Sequence, residues 1–435
     1  MQFYNFKNSI LILVLTLLCC GSKKEEKVFF ADKKTETSLL QTSKSTIVGA
    51  NDTEAYIPYL KGKTVGIVAN QTSVIQKSKI QNSKFEVRSG KYEVGSEKLG
   101  IEFTHLVDSL LKLDIDIKKV FSPEHGFRGT ADAGEVIKDG VDIKSGLPIV
   151  SLYGKNKKPS QEQLEGFDVV ILDIQDVGAR FYTYISTLHY VMEACAEAEI
   201  PLLILDRPNP NGHYIDGPIL ESEHKSFVGM HPVPVVHGMT IGEYAQMING
   251  EAWLNGGIQC ELKIIPVKNY NHQTEYKLPI PPSPNLPNAK SINLYPSLCF
   301  FEGTPISVGR GTDKQFQVIG TPEYNLKRYN YFFTPQANEG AKYPKHKGKE
   351  CFGYNLSKTN RLNQLELKWL IEFYKSHKQY AKDTEFFKSF FTKLSGTEQL
   401  KQQIEQGLSV EEIRKSWAGG LENYRLIREK YLLYD

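Results

Sequence analysis

Asp168-Val-Val-Ile-Leu-Asp173 is the stretch that decides the fold, because four consecutive apolar residues lie between two carboxylates. A run without polar alternation is typical of a strand buried on both faces, as in the middle of a parallel sheet. Similar apolar runs occupy residues 64–70 and 201–206, and residues 187–199 have helical spacing. Strands that alternate with helices predict an α/β fold with a Rossmann-like, doubly wound parallel sheet.

The same alternation extends over most of the chain and predicts two domains. We expect residues 53–255 to form the Rossmann-like domain and residues 256–435 a smaller α/β (α+β) domain that completes a cleft. Further strands are predicted at residues 119–122, 148–153 and 261–266, the last in the second domain. Further helices are predicted at residues 105–112, 240–254, 363–378, 385–394 and 410–433, with Thr240 and Glu243 as a capping box. The proline-rich residues 278–296 are predicted to be irregular, and the polar residues 79–102 to be a surface insertion.

The N-terminus is typical of an exported bacterial lipoprotein. An apolar run at Ser9–Leu18 is too short to span a bilayer, and Leu17-Leu18-Cys19-Cys20-Gly21 resembles a lipobox. We therefore predict a signal peptide over residues 1–20, lipidation of Cys20, and a flexible tether over residues 21–52. The alternative is ordinary signal cleavage nearby. Lipidation of Cys20 would anchor the protein at the periplasmic face of a bacterial membrane or at the outer-membrane surface.

Composition argues against some partners. The formal net charge is only +3 and there is no basic stripe, so a nucleic-acid partner is not expected. No glycine-rich phosphate loop follows the first strand, which argues against a nucleotide cofactor. The histidines and cysteines match no known zinc spacing, and no GxSxG motif is present. We therefore expect neither a metal nor a cofactor.

Polar clusters follow four of the predicted strands. Ligands of open α/β sheets bind at the carboxyl ends of the strands, so these clusters predict one common site. Each cluster alone is compatible with ordinary loop capping. The candidate residues in them are Asn70, Gln71, Glu124, His125, Arg128, Asp173, Asp176, Arg180, Tyr182, Asp206, Arg207 and Asn209. Later segments add the candidate ligands His237, Asn285, Glu302 and Arg310.

The acids at these strand ends favour glycoside hydrolysis. That reaction commonly uses one carboxylic acid to protonate the leaving oxygen and a second carboxylate as base or nucleophile. Glu124 lies between Pro123 and Gly126, on a predicted sharp turn. Asp176 is a candidate partner but could instead pair with Arg180, and His125 could move a proton or bind a sugar hydroxyl. Arg310, between two glycines, could reach a ligand carboxylate such as a lactyl group.

Taken in order, the motifs resemble the NamZ/YbbC-like family of exo-β-N-acetylmuramidases, formerly a domain of unknown function. The resemblance covers about residue 63 to the C-terminus. The matching stretches are residues 66–72, 121–129 (FSPEHGFRG), 173–184, 205–210 (LDRPNP), 284–287 (PNLP), 309–312 (GRGT) and 430–434.

The resemblance implies a cofactor-independent enzyme that releases terminal N-acetylmuramic acid from peptidoglycan fragments. It also implies that Glu124 is the catalytic acid, and it leaves the second carboxylate open. Two alternatives stay open as well: a non-catalytic lipoprotein that binds cell-wall glycans, and a cell-wall deacetylase or amidase of the same fold.

Overall fold

The computed structural model describes residues 45–77, 102–129, 135, 139–323, 329 and 331–435. Its strands, numbered along the chain, are β1 (Thr64–Ala69), β2 (Val74–Lys77), β3 (Glu102–His105), β4 (Asp116–Ser122), β5 (Gly140–Val141), β6 (Pro148–Ser151), β7 (Val169–Asp173), β8 (Leu202–Leu205), β9 (Leu262–Ile265), β10 (Val318–Thr321), β11 (Tyr331–Phe333) and β12 (Cys351–Asn355). Its helices are α1 (Thr53–Leu60), α2 (Leu106–Lys112), α3 (Gln161–Leu164), α4 (Tyr184–Glu197), α5 (Ile241–Gly250), α6 (Ala289–Leu298), α7 (Lys368–Tyr380), α8 (Ser389–Ser395), α9 (Gln399–Gln406) and α10 (Val410–Arg428).

A seven-stranded sheet with the order β5-β6-β4-β1-β7-β8-β9 forms the centre of the structure. All neighbouring pairs are parallel except β5 and β6. Every residue of β7 is buried, because the sheet is covered on both faces. Numbered along the chain, the six parallel strands lie in the order 3-2-1-4-5-6, which is that of doubly wound dinucleotide-binding folds. The first three strands extend the sheet to one side and the last three extend it to the other, so the order reverses between the first and fourth strands. The predicted Rossmann-like α/β fold is therefore confirmed.

The strand expected in the second domain belongs instead to this large sheet. Leu262–Ile265 pairs in parallel with β8 and completes the sheet at its edge, so that expectation was wrong. The apolar run predicted a strand correctly, but a short run contains no information about which sheet it joins. The sheet therefore continues beyond residue 255.

The proline-rich segment also differs from its prediction, since Ala289–Leu298 is a helix. Asn288 begins this helix with a capping box to Ser291. Pro296 has no backbone N–H and leaves the carbonyl of Ile292, four residues earlier, without its helical donor. The Asn211 side chain donates to that carbonyl at 3.0 Å, so a tertiary contact compensates for the proline.

Other predicted elements have shifted ends. The capping box of Thr240 and Glu243 is present, although its helix ends at Gly250 rather than 254. The three predicted C-terminal helices begin at Lys368, Ser389 and Val410. The signal peptide, Cys20 and the tether up to residue 44 lie outside the described residues, as do residues 79–101 of the predicted insertion.

Apolar side chains cover the large sheet on both faces. On one face, α1 and α2 contribute residues such as Tyr56, Leu60 and Leu110. On the other face, α4 and α5 pack in a continuous core with α6 and the C-terminal helices. A small antiparallel sheet, β10-β12-β11, lies in the C-terminal region. The C-terminal region thus shares one core with α4, and this shared core brings its loops beside the strand ends.

Breaking the ion pair between Asp173 and Arg207 should greatly lower the stability of the protein. The Arg207 Nε lies 2.5 Å from the Asp173 carboxylate, and the side chains are 2% and 0% exposed. Burial raises the pKa of Asp173 even with Arg207 beside it. Arg207→Met should therefore lower the free energy of unfolding by about 3–5 kcal/mol, because it leaves a buried carboxyl without its partner.

The exposed pair of Arg425 and Glu422 is the control, with side chains 47% and 67% exposed. Arg425→Met should cost less than about 1 kcal/mol. Urea denaturation of both variants measures the difference. An equally small loss in both would contradict the importance given to the buried pair.

Candidate active site

Glu124 lies on a tight turn directly after β4. His125 and Gly126 both have positive φ angles, 74° and 80°. This conformation is unfavourable for histidine and costs it on the order of 1–2 kcal/mol, so the surrounding structure must hold the turn in place. His125 is buried and Glu124 is half-buried. The turn therefore fixes the direction of the Glu124 side chain.

A cavity of about 530 Å³ lies beside this turn, a size typical of sites for small molecules. Part of its lining is formed by residues that follow strands of the large sheet: Glu124, His125, Tyr153, Tyr182 and Thr183. The C-terminal half contributes further lining residues: Asn285, Glu302, Arg310 and Lys345. Phe227, Tyr295 and Phe316 add aromatic surface.

Two hydroxyl groups hold the Glu124 carboxylate. The Thr183 hydroxyl donates to Oε2 of Glu124 at 2.7 Å, and the Tyr153 hydroxyl also hydrogen-bonds to this side chain. Burial, followed by the negative charge of Glu124, raises the pKa of Tyr153, so the phenol keeps its proton and can donate. The carboxyl group is thus oriented from two sides.

The backbone of the turn is held as well. The Tyr184 hydroxyl donates to the Glu124 carbonyl at 3.3 Å and accepts a hydrogen bond from the Asn70 side chain at 2.7 Å. Tyr184 is the first residue of α4, and Asn70 follows β1. Three segments at the carboxyl edge of the sheet therefore converge on Glu124.

Three charged side chains from the C-terminal region also border the cavity. The Arg310 Nε donates to the Glu302 carboxylate at 3.1 Å. Burial alone would raise the pKa of Glu302, but the charges of Arg310 and Lys345 hold it below its ordinary value. This part of the cavity therefore has one negative and two positive side chains.

Comparison with known proteins identifies the family. The N-terminal domain of exo-beta-N-acetylmuramidase NamZ matches residues 65–290, and its C-terminal domain matches residues 293–434. The chain belongs to the NamZ family.

Its relatives include a curated protein and two solved structures. Peptidoglycan beta-N-acetylmuramidase NamZ of Bacillus subtilis (strain 168) is 38% identical over 396 residues, which cover 87% of this chain and 89% of that protein. A DUF1343 family protein from Bacteroides fragilis NCTC 9343 is 45% identical with a TM-score of 0.77, and a second from the same strain is 26% identical with a TM-score of 0.72. Each comparison covers 90% of this chain and 99% of the solved chain.

The sixteen candidate site residues fall into two groups in this NamZ-family chain. Six border the cavity: Glu124, His125, Tyr182, Asn285, Glu302 and Arg310. The other ten make contacts within the protein and are not among the cavity-lining residues: Asn70, Gln71, Arg128, Asp173, Asp176, Arg180, Asp206, Arg207, Asn209 and His237. The geometry therefore gives no support to the predicted role of nine of them as sugar ligands or to that of Asp176 as a catalytic residue.

Several of these ten residues have clear structural partners. Arg180 is fully buried and donates to four backbone carbonyls, those of Pro218, Val233, Leu394 and Ser395. Burial lowers its pKa to about 9. Arg128 pairs with Asp108 and Asp142 at 3.2 and 2.7 Å. These arginines join loops to one another rather than border the cavity.

The acids and amides near β7 and β8 are held in a similar way. Asp206 accepts hydrogen bonds from Thr240 at 2.7 Å and Tyr434 at 2.6 Å, and burial raises its pKa to about 6. Asn209 donates to the Met239 carbonyl, while Gln71 donates to the carbonyls of Pro281 and Pro282. All three support the segments around the cavity.

Asp176, predicted as a catalytic partner, lies behind the cavity wall. It is 4% exposed and accepts a hydrogen bond from the Gly178 backbone at 2.6 Å. Its other close partner is His237, at 3.4 Å, and not Arg180. Among the described residues, the carboxylates that border the cavity are Glu124 and Glu302.

The cavity residues that were not predicted include Thr183, Tyr153 and Lys345. Thr183 lies between Tyr182 and Tyr184 in a recognised cluster, and Tyr153 is the last residue of a predicted strand, so position in the fold could have indicated both. Lys345 lies in a loop rich in lysine and proline, where no motif distinguishes it.

Two further features concern only the part of the chain described above. Glu221, Glu223 and His224 are close enough together to hold a metal ion, but they lie outside the cavity lining. No helix in these ranges combines the length and the hydropathy of a membrane span.

Proposed function

We propose that this protein is an exo-acting β-N-acetylmuramidase that releases terminal N-acetylmuramic acid from peptidoglycan-derived glycans. The observation that carries the proposal is that Glu124 and Arg310 both border one cavity. A carboxylic acid can protonate a glycosidic oxygen, and a guanidinium can bind a sugar carboxylate. Membership of the NamZ family supports the same reaction, and the B. subtilis relative is a peptidoglycan beta-N-acetylmuramidase.

Glu124 acts as the general acid in this proposal. As the bond between the anomeric carbon and the leaving oxygen breaks, the carboxyl group transfers its proton to that oxygen. Positive charge develops on the sugar ring as this bond breaks, as is usual for glycoside hydrolysis. Water then forms the new bond to the anomeric carbon, and the proton that it releases restores the acid form of Glu124. Thr183 and Tyr153 support the assignment, since they hold the carboxyl group in one orientation. Such positioning is a large part of what a general acid requires.

Arg310 recognises the lactyl carboxylate in this proposal. Its Nε donates a hydrogen bond to Glu302. The Arg310 side chain borders the cavity and is 24% exposed. The lactyl ether at O3 distinguishes N-acetylmuramic acid from N-acetylglucosamine, so a cation in the cavity would select the former. A cavity of about 530 Å³ has room for a terminal sugar, and membership of the NamZ family favours the exo mode.

Glu124→Gln tests the acid directly. The amide keeps the shape of the side chain but has no proton to transfer, so kcat on a natural glycan should fall at least about 100-fold. An aryl glycoside, whose leaving group needs little protonation, should recover part of the lost rate. The melting temperature should be nearly unchanged.

Glu165→Gln, an exposed acid at the end of α3, is the matched control and should keep wild-type activity. If Glu124→Gln retains nearly full kcat on natural substrate while it is folded, the assignment is wrong. If Glu124→Gln still binds the glycan but no longer cleaves it, the wild-type protein is an enzyme and not only a glycan-binding protein.

We also propose that the protein is exported and anchored through a lipid on Cys20. The support is the lipobox-like sequence Leu17-Leu18-Cys19-Cys20-Gly21 after an apolar run. Cys20→Ala should move the protein from the membrane fraction to the soluble fraction of cells that express it. Cys19→Ala is the neighbouring control and should leave it in the membrane fraction. Equal partitioning of the wild type and Cys20→Ala would contradict the anchor.

A further inference from the structure

Lys345 lies on the cavity wall beside Glu302 and Arg310 and is placed there by an unusual set of contacts. Its Nζ donates to the backbone carbonyls of Phe301, Glu302, Thr304 and Ile306 at 2.8, 3.1, 2.8 and 3.3 Å. An ammonium has three N–H donors, so these carbonyls use its hydrogen-bonding capacity. Lys345 therefore acts on a ligand through its charge and not as a direct donor.

Arg310 has the opposite character. Its guanidinium lies over the Phe316 ring, 5.1 Å from the centroid, and only its Nε is bonded to Glu302. The two terminal nitrogens provide the fork that binds a carboxylate in two places. Yet Glu302 cancels most of the positive charge of Arg310, and an isolated neutral pair attracts an anion only weakly.

The charge of Lys345 adds to the neutral pair of Glu302 and Arg310. It lies close enough to lower the pKa of Glu302 together with Arg310, so the three side chains carry a net charge of +1. Because these side chains are only partly exposed, such a charge acts on a nearby anion more strongly than it would on the open surface.

We infer that Lys345 is a specificity-determining residue: it supplies the net positive charge with which Arg310 selects a sugar that carries a carboxylate. The inference rests on the proposed function, because it assumes that this cavity receives N-acetylmuramic acid. Glu302 then limits the same selectivity. It holds Arg310 in place but reduces the attraction for the carboxylate.

The inference predicts opposite effects for two substitutions. Lys345→Met removes the excess charge and should lower the affinity for N-acetylmuramic acid about fivefold or more, with little change for N-acetylglucosamine. Glu302→Gln keeps a hydrogen-bond acceptor for Arg310 and removes the negative charge. It should raise the ratio of the two affinities. If both residues only held loops together, both substitutions would lower it or leave it unchanged.

Equilibrium binding of the two monosaccharides to the full chain, measured by calorimetry at low salt, tests this without turnover. Lys347→Met, an exposed lysine of the same loop, is the matched control and should not change the ratio. Added salt should reduce the wild-type ratio towards that of Lys345→Met.

A fall in the ratio for Glu302→Gln, or an equal loss for both sugars in Lys345→Met, would overturn the inference. If Lys345→Met does not fold, the direction of the Glu302→Gln effect decides alone. Failure of this inference is distinguishable from failure of the proposed function, since hydrolysis of muramic glycosides by the wild type would then persist. A wild type that neither binds nor hydrolyses them would refute both.

Discussion

The buried ion pair of Asp173 and Arg207 is the interaction on which the site depends. It joins the ends of β7 and β8, next to the point where the order of the sheet reverses. The same guanidinium donates to the Val74 carbonyl at 3.2 Å, and the Ser73 hydroxyl donates to the Asp173 carbonyl. The loop after β1 is therefore tied to the ends of two other strands. From that loop, Asn70 reaches Tyr184, and Tyr184 reaches the Glu124 carbonyl.

The residues that hold the loops in place differ from the residues that border the cavity. Residues that follow the strands mostly bond to one another and hold the loops, as Arg180 does with its four carbonyl partners. The side chains that border the cavity then come from both halves of the chain. Glu124 and its hydroxyl partners follow strands of the large sheet, and the charged group of Glu302, Arg310 and Lys345 comes from the C-terminal region. A sugar in this cavity would be near both groups.

The periodicity of the sequence predicts the sheet and most helices, because buried parallel strands require continuous apolar runs such as Val169–Asp173. It does not predict the partner of Leu262–Ile265, which depends on a crossover that local pattern does not contain. The helix at Ala289–Leu298 is another such case, since Asn211, 81 residues from Ile292, satisfies the carbonyl that Pro296 leaves free.

The candidate site was predicted only in part for a related physical reason. Strand-end polar residues can either point into a cleft or bond to neighbouring loops, and the sequence looks the same in both cases. Glu124 borders the cavity because the left-handed turn at His125 and Gly126 directs it there. Asp176 and Asp206 also follow strands, three residues after β7 and directly after β8, but they accept hydrogen bonds from donors within the protein. Lys345 was missed because its position depends on carbonyls of a distant turn.

Cleavage of a glycan strand that carries N-acetylmuramic acid at its non-reducing end and a fluorescent label at its reducing end tests the central claim most directly. The account predicts that free N-acetylmuramic acid is the first product and that the labelled strand shortens by one sugar, then stops at the exposed N-acetylglucosamine. The same strand with N-acetylglucosamine at its non-reducing end should be left intact. A ladder of labelled internal fragments at early times, or release of N-acetylglucosamine at a comparable rate, would contradict it.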